Sequence, residues 1–380
     1  MLRLAIVGVG WAGTRQAEAV RELGRKVAVE CLVDSDADQL RQKSAELDVP
    51  RTCADLDAAL ADPRVDAVSI CLPHALHCSA TLAAISAGKH VLVEKPLATT
   101  VEEASRMIDA AEAAGLTLYV AENVPYQSMS MVLRGIVAGR EPIGELTAAS
   151  LVAGFRAPNF AYPGRRAWLT RPDLGGTGTW MLHGIHTMAQ LRYILGEVRT
   201  VYVREHRARS FQRTEIEGTM SGLLTLERGV HVSILQTSET RLPGNLGGYV
   251  LYGDRGSVRA SSAGYEVFTD DAGNDPAIQS YPAEALSDYA QELEAFADQV
   301  AGRAEGPTTA RSERRSLAIV QAGYESARTG LPVDLRQRFG LCRPVSASNW
   351  HGSSSPRASA SGPQGPEVRL AVRSMGHGAG

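Results

Sequence analysis

An apolar run, Leu2 to Val7, passes without a break into Gly8-Val9-Gly10-Trp11-Ala12-Gly13. No other feature of the chain leaves so few folds open. A buried strand, glycines spaced G-x-G-x-x-G and a helix over roughly Ala12 to Leu23 are the opening of a parallel βαβ unit. The first glycine allows the tight turn, the second lets backbone approach a pyrophosphate, and the third permits close helix–strand packing. Gly8, Gly10, Trp11, Ala12 and Gly13 are therefore candidate cofactor contacts, because the helix would aim its unpaired N–H groups at phosphates.

A second apolar run, Val27 to Val33, ends on Asp34, about twenty residues past Gly13. A carboxylate there can hydrogen-bond both hydroxyls of an adenosine ribose and would repel a 2′-phosphate. The expected cofactor is NAD, with NADP possible because Ser35 follows. Asp34 could otherwise cap the helix expected over Asp36–Leu47.

Further βα units follow. Val65 to Leu72 reads as a strand, and a helix from about Leu76 to Ala87 stops at Gly88. The strand His90-Val91-Leu92-Val93 closes on Glu94-Lys95-Pro96, then a helix from about Val101 to Ala114 leads to the strand Thr117 to Ala121. This alternation predicts an α/β Rossmann domain over 1–124, a doubly wound parallel sheet with right-handed crossovers. Lys95 falls at the carboxyl end of a parallel strand, the edge at which open α/β sheets bind ligands. From there an ammonium can reach the nicotinamide end of a dinucleotide and the substrate beside it.

The pattern changes after Glu122-Asn123 and a helix near Gln127–Ala138. Extended runs dominate: Leu146–Phe155, Thr200–Arg209, Glu217–Leu226, Val230–Thr237 and Tyr249–Tyr252. Most lack crossover helices, which predicts a large, mostly antiparallel open sheet in an α+β domain over 125–336. Its helices are expected near Thr179–Leu195, Ser287–Ala301 and Ala310–Thr329, gathered on one face. The other face is expected to form a homodimer or homotetramer interface. From about 337 to 380, Ser, Ala, Pro, Gly and Arg predict a disordered tail.

The formal charge of −3 is spread over interspersed residues of both signs, so neither nucleic acid nor an anionic membrane is expected as a partner. No apolar run approaches a membrane span, and the first strand begins at residue 2, where a leader would stand. The five cysteines, Cys31, Cys53, Cys71, Cys78 and Cys342, have no metal-ligand spacing. A cytoplasmic, reduced, metal-free protein is expected.

Taken together these segments resemble the Gfo/Idh/MocA family of nicotinamide-dependent sugar and cyclitol oxidoreductases, over roughly residues 1–336. The resemblance rests on the glycine turn, Pro73-His74-Ala75-Leu76-His77, the run Ala87-Gly88-Lys89-His90-Val91-Leu92-Val93-Glu94-Lys95-Pro96, and Gly175-Gly176-Thr177-Gly178 leading to Gly184-Ile185-His186. Gly253-Asp254-Arg255-Gly256-Ser257 and Ala322-Gly323-Tyr324 fit as well.

The resemblance implies hydride transfer between nicotinamide and a hydroxyl or carbonyl carbon of a sugar, cyclitol or polyol. It implies that Lys95 and His186 flank the reacting carbon, His186 as base and Lys95 as the cation holding the substrate oxygen. An aspartate usually precedes that histidine by four residues, where it would share a helix face with it; here Leu182 stands there. His183 is expected to take over part of that polar role. With no carboxylate at 182, the base limb is expected at or below about 6.5. Leu72, Pro73, His77, Glu94, Lys95 and Asn123 are further candidate cofactor contacts. His74 replaces an asparagine common after the proline. Tyr126, Arg166 and Trp168 are candidate substrate contacts beside Lys95, His183 and His186. Tyr162, Arg165 and Trp180 could line the same pocket or pack on the sheet. A ligand sensor that keeps the fold but has lost turnover is the alternative reading.

Overall fold

The computed structural model describes residues 1–154, 167–169, 171–175, 178–208, 216–242, 246–270 and 276–341. Strands β1 (Leu2–Val7), β2 (Val27–Val33), β3 (Thr52–Cys53), β4 (Ala67–Ile70), β5 (His90–Glu94) and β6 (Leu118–Ala121) form a parallel sheet in the order β3-β2-β1-β4-β5-β6. Winding reverses between β1 and β4, which opens a crevice at their carboxyl ends. All four residues of β4 are buried, as are all four of β6. Burial on both faces is why these strands read as apolar runs without alternation.

Helices α1 (Trp11–Val20), α2 (Ala37–Leu47), α3 (Leu56–Leu60), α4 (His77–Ser86) and α5 (Val101–Ala113) connect the strands. Asp36, Asp55 and Thr100 cap α2, α3 and α5 through their side chains, each worth about 1 kcal/mol. Helix α1 starts at Gly10 without a side-chain cap, so its first amides remain available to a ligand.

The remaining elements are α6 (Ser128–Gly139), β7 (Leu146–Gly154), α7 (Thr179–Leu182), α8 (Gly184–Leu195), β8 (Val198–His206), β9 (Thr219–Leu226), β10 (His231–Thr237), β11 (Gly248–Gly253), β12 (Gly256–Ser261), β13 (Gly264–Thr269), α9 (Asp288–Val300), α10 (Ala310–Thr329), β14 (Val333–Asp334) and α11 (Leu335–Phe339). The strands form an eight-stranded sheet in the order β13-β12-β11-β7-β10-β9-β8-β14. Its pairs are antiparallel except β7 with β10. Side chains alternate across it. Val201, Val203, Leu224, Val232, Ile234 and Leu251 are buried in the core shared with α8 and α10, whereas Tyr202, Leu223 and Tyr252 are exposed on the other face.

Several elements differ from the sequence expectations. Helix α9 does not join the others on the second sheet: Ala290, Leu293 and Phe296 pack with Leu4, Leu32, Leu92 and Tyr119 against the parallel sheet. A parallel sheet needs both faces covered, and a late segment of the chain completes one of them. The helix expected over 179–195 is two helices separated at His183. The hairpin β12–β13 was not foreseen. Helix α11 runs past Gln337, where the tail was expected to begin, and Leu335, Phe339 and Leu341 are buried. The rest of the expected tail, from 342 onward, lies outside the described residues. Among the described residues, no helix is long and apolar enough to cross a membrane.

Candidate active site

Two cavities meet at the carboxyl edge of the parallel sheet. One, of about 620 Å³, lies over the glycine turn and is lined by Gly8, Gly10, Trp11, Ala12 and Asp34 on one side and by Leu72 and Pro73 on the other. The second, of about 530 Å³, is lined by Asn123, His183, His186, Gln190, Tyr249 and Glu292. Trp11, Glu94 and Lys95 line both.

The glycines behave as their spacing requires. Gly8 has φ +91°, and a Cβ there would run into the Cys71 carbonyl. A Cβ on Gly13 would strike the Gly8 carbonyl, so Gly13 serves helix–strand packing and lines neither cavity. Gly10 faces open space. Asp34 is not the cap of α2, since Asp36 fills that role. Its own Oδ2 accepts the Val9 N–H at 3.0 Å and its Oδ1 accepts the Asp36 N–H at 3.0 Å. Uncapped amides, a close-approach glycine and a carboxylate at the end of β2 suit a pyrophosphate and an adenosine ribose.

Four candidate residues are placed otherwise than expected. His77 lines neither cavity. It is fully buried, with its ring nitrogens 2.8 Å from the Pro96 carbonyl oxygen and 2.9 Å from that of Leu72, and so braces the segment carrying Lys95. Tyr126 is turned inward, because its buried hydroxyl finds a partner in the Tyr119 hydroxyl at 2.7 Å. Asn123 lines the cavity of His186 and donates from Nδ2 to Asp288 Oδ2 at 2.7 Å. Trp168 lines the glycine-turn cavity, edge-on to His74 at 4.7 Å between ring centroids. The Nδ1 of His74, which lines this cavity, lies 2.9 Å from the Gly175 carbonyl oxygen. Trp180 is core, and its Nε1 donates to the Val320 carbonyl at 3.0 Å. Tyr162, Arg165 and Arg166 lie outside the described residues.

Lys95 and His186 are brought together. Lys95 Nζ donates to the main-chain carbonyl of Leu182 at 3.0 Å. Leu182 also lines the glycine-turn cavity, and the interruption at His183 separates it from the helix of His186. His186 meets a carboxylate all the same. Its Nδ1 lies 2.6 Å from Oε1 of Glu122, a side chain with no exposed surface. His183 Nδ1 accepts from Gln236 Nε2 at 3.0 Å. Glu122 and Gln236 were not singled out from the sequence. Glu122 directly follows β6 as Lys95 follows β5, so the strand-end argument applied to Lys95 would have found it; Gln236 had no comparable signal.

Burial dominates the electrostatics. It raises the carboxyls of Glu94 and Glu122 to about 7 each, against the opposing pull of the Lys95 charge. It holds the His186 imidazole well below its ordinary value, aided by Lys95, while Asp288 pulls the other way. His183 is pushed down to about 3 by burial, then by His186 and Lys95. An imidazole kept neutral beside an ammonium can accept a proton from a hydroxyl held by that ammonium. Among the described residues, no group of three or more His, Cys, Asp or Glu side chains could hold a metal ion.

Residues 2–122 match the oxidoreductase family with an NAD-binding Rossmann fold, and residues 136–259 match the GFO/IDH/MocA C-terminal domain. The chain is 30% identical to D-xylose 1-dehydrogenase (NADP(+)) 2 of Haloferax volcanii, over 76% of this chain and 86% of the relative. It is 27% identical to 1,5-anhydro-D-fructose reductase of Ensifer adhaerens, over 83% of this chain and 93% of the relative. The crystal structure of an oxidoreductase from Agrobacterium radiobacter, in complex with NAD+, L-tartaric acid and magnesium, has the same fold. It superposes with a TM-score of 0.75 at 22% identity, covering 88% of this chain and 99% of that one.

Proposed function

The chain belongs to the GFO/IDH/MocA oxidoreductase family, and from that premise we propose that it moves a hydride between nicotinamide and a hydroxyl or carbonyl carbon of a sugar, cyclitol or related polyol. The observation that carries this reading is the placement of Lys95 and His186 on one cavity that continues, past Trp11 and Glu94, into the cavity of the glycine turn.

Nicotinamide, when bound, supplies the hydride acceptor or donor. The amides around Gly10 and Trp11 hold the pyrophosphate and Asp34 takes the ribose hydroxyls, which supports NAD over NADP. Leu72, Pro73 and Trp168 flank the same cavity. Lys95 holds the substrate oxygen and stabilises the alkoxide that develops during oxidation. His186 accepts the hydroxyl proton and returns it in the reverse direction. His183, neutral and anchored by Gln236, offers a further polar contact to the substrate. The names of the two curated relatives support a sugar-like substrate.

The test is direct. Purified protein with NAD or NADP and a panel of sugars, polyols and cyclitols should generate the absorbance of reduced nicotinamide, more strongly with NAD. No turnover in either direction across the panel would turn the reading to a ligand sensor, against which the pairing of Lys95 with His186 argues. The exposed Tyr202, Leu223 and Tyr252 on one face of the eight-stranded sheet support self-association as a homodimer or a homotetramer, and light scattering would reveal a monomer if that reading is wrong.

A further inference from the structure

We propose that Glu122 is the positioning residue of the His186 base, holding the imidazole by Nδ1 so that Nε2 is left to take the substrate proton. The inference rests on the reading of His186 as the base. The carboxylate comes from the carboxyl end of β6, far along the chain from its partner, and replaces nothing that Leu182 could offer.

The geometry decides the direction of the hydrogen bond. Glu122 Oε1 accepts the Val124 N–H at 3.3 Å and lies 2.6 Å from Nδ1 of His186. An oxygen already accepting from an amide is best matched by a second donor, so Nδ1 carries the imidazole proton. The unprotonated nitrogen is then Nε2, on the ring whose 22% of exposed side-chain surface opens to the cavity. Glu122 Oε2 is buried without a partner, so Oε1 is the atom through which the carboxyl group engages both Val124 and His186.

In oxidation the substrate C–H leaves as hydride to the nicotinamide ring while the O–H proton passes to Nε2 and the carbonyl bond forms. The imidazolium so produced lies against the Glu122 carboxylate, which stabilises it. Other titratable groups face the pair from neighbouring elements: Lys95, Asp288 and His183 around His186, and Lys95, Glu94, Tyr289, Glu292 and Glu313 around Glu122. Glu122 and His186 therefore titrate as one unit. With the carboxyl near 7, the pair loses its proton close to neutral pH and becomes the proton-accepting form above it.

The experiment uses full-length protein labelled with 15N histidine, wild type against Glu122→Gln and Glu122→Asp, with His186→Asn to identify the resonances. At pH 8 the wild type should show a protonated Nδ1 and an unprotonated Nε2 on His186, with a titration near 7. Glu122→Gln should move that titration by about a unit or more. It should also lower kcat at least tenfold, within the roughly 10²–10⁴ scale of general-base catalysis, with KM little changed. Glu122→Asp should recover part of kcat. A folded Glu122→Gln protein with unchanged His186 tautomer and titration overturns the proposal. If wild type turns over no compound of the panel, the proposed function fails, and the nitrogen resonances still decide whether Glu122 sets the tautomer.

Discussion

The ammonium of Lys95 and the carbonyl oxygen of Leu182 are 3.0 Å apart. One closes the strand β5 and the other ends helix α7, so this bond pins the cation between the two cavities. Position 182 serves the site through its main-chain carbonyl, and the residue also lines the glycine-turn cavity. The charge reaches beyond the bond, for Lys95 opposes protonation at His74, His77, His183 and His186 alike.

Removing that charge should disable chemistry and spare cofactor binding. Lys95→Ala should lower kcat by about a hundredfold or more, the scale of one transition-state donor. NADH titration should remain within a few-fold of wild type, because the pyrophosphate and ribose contacts lie at the glycine turn. Lys95→Arg should not restore turnover, since a planar guanidinium cannot take the place of a point donor. Recovery by arginine would show that charge alone suffices.

Asp34 is expected to do more than select a cofactor. It accepts the Val9 N–H inside the glycine turn as well as the Asp36 N–H. Asp34→Ser should therefore weaken NAD(H) while improving NADP(H), by removing both the ribose contact and the repulsion of a 2′-phosphate. Asp34→Asn keeps an acceptor for Val9 and should lose less NAD(H) affinity than Asp34→Ser. Calorimetric affinities for both dinucleotides would check this, and tighter NADP(H) binding by the unaltered protein would defeat the assignment.

The longer strands of the parallel sheet were legible because their residues are largely buried, and glycine ends helices α4 and α5 at Gly88 and Gly115; the two-residue β3 and the short α3 were not, since β3 is little buried and no glycine marks their ends. The same logic found Lys95 and, with the family resemblance, His186. What escaped was mostly non-local. Glu122 and His186 are 64 positions apart, and nothing around Glu122 marks it as more than a strand end. Phe296 docks on a sheet whose strands lie in the first third of the chain, although its own periodicity states only that one face is apolar. The hairpin β12–β13 turns at Ser262-Ala263, which lacks the Asn-Gly or Asp-Gly signal of tight turns. The break at His183 stands directly before Gly184, a glycine that the sequence expectation places within one continuous helix.

His183 yields a pH prediction with a definite sign. Its folded pKa of about 3 lies below the unfolded value of about 6.5. The unfolded chain therefore binds more protons between these values, and stability falls as pH falls through that window. Melting temperature should drop less between pH 7.5 and 5 for His183→Asn than for wild type. The base limb of kcat should stay in place in this variant, because His183 is already neutral where the enzyme works. A limb displaced by a full unit would instead make His183 the proton acceptor.

Two glycine-to-alanine changes in helices should act in opposite directions. Gly135 in α6 has nothing within 4 Å of where a Cβ would stand, so Gly135→Ala should stabilise by about 0.5–1 kcal/mol through helix propensity. Gly323 in α10 packs against the indole of Trp180, with which a Cβ would collide. Trp180 has no exposed surface and is anchored to Val320, so it has nowhere to move. Overpacking costs about 1–3 kcal/mol and outweighs the propensity gain. Gly323→Ala should therefore melt a few degrees lower and Gly135→Ala slightly higher. The lower-melting variant should also lose turnover at temperatures where it remains folded, because Trp180 sits two residues before the carbonyl that holds Lys95. Both variants shifting the same way would show that backbone propensity, and not the Trp180 contact, governs Gly323.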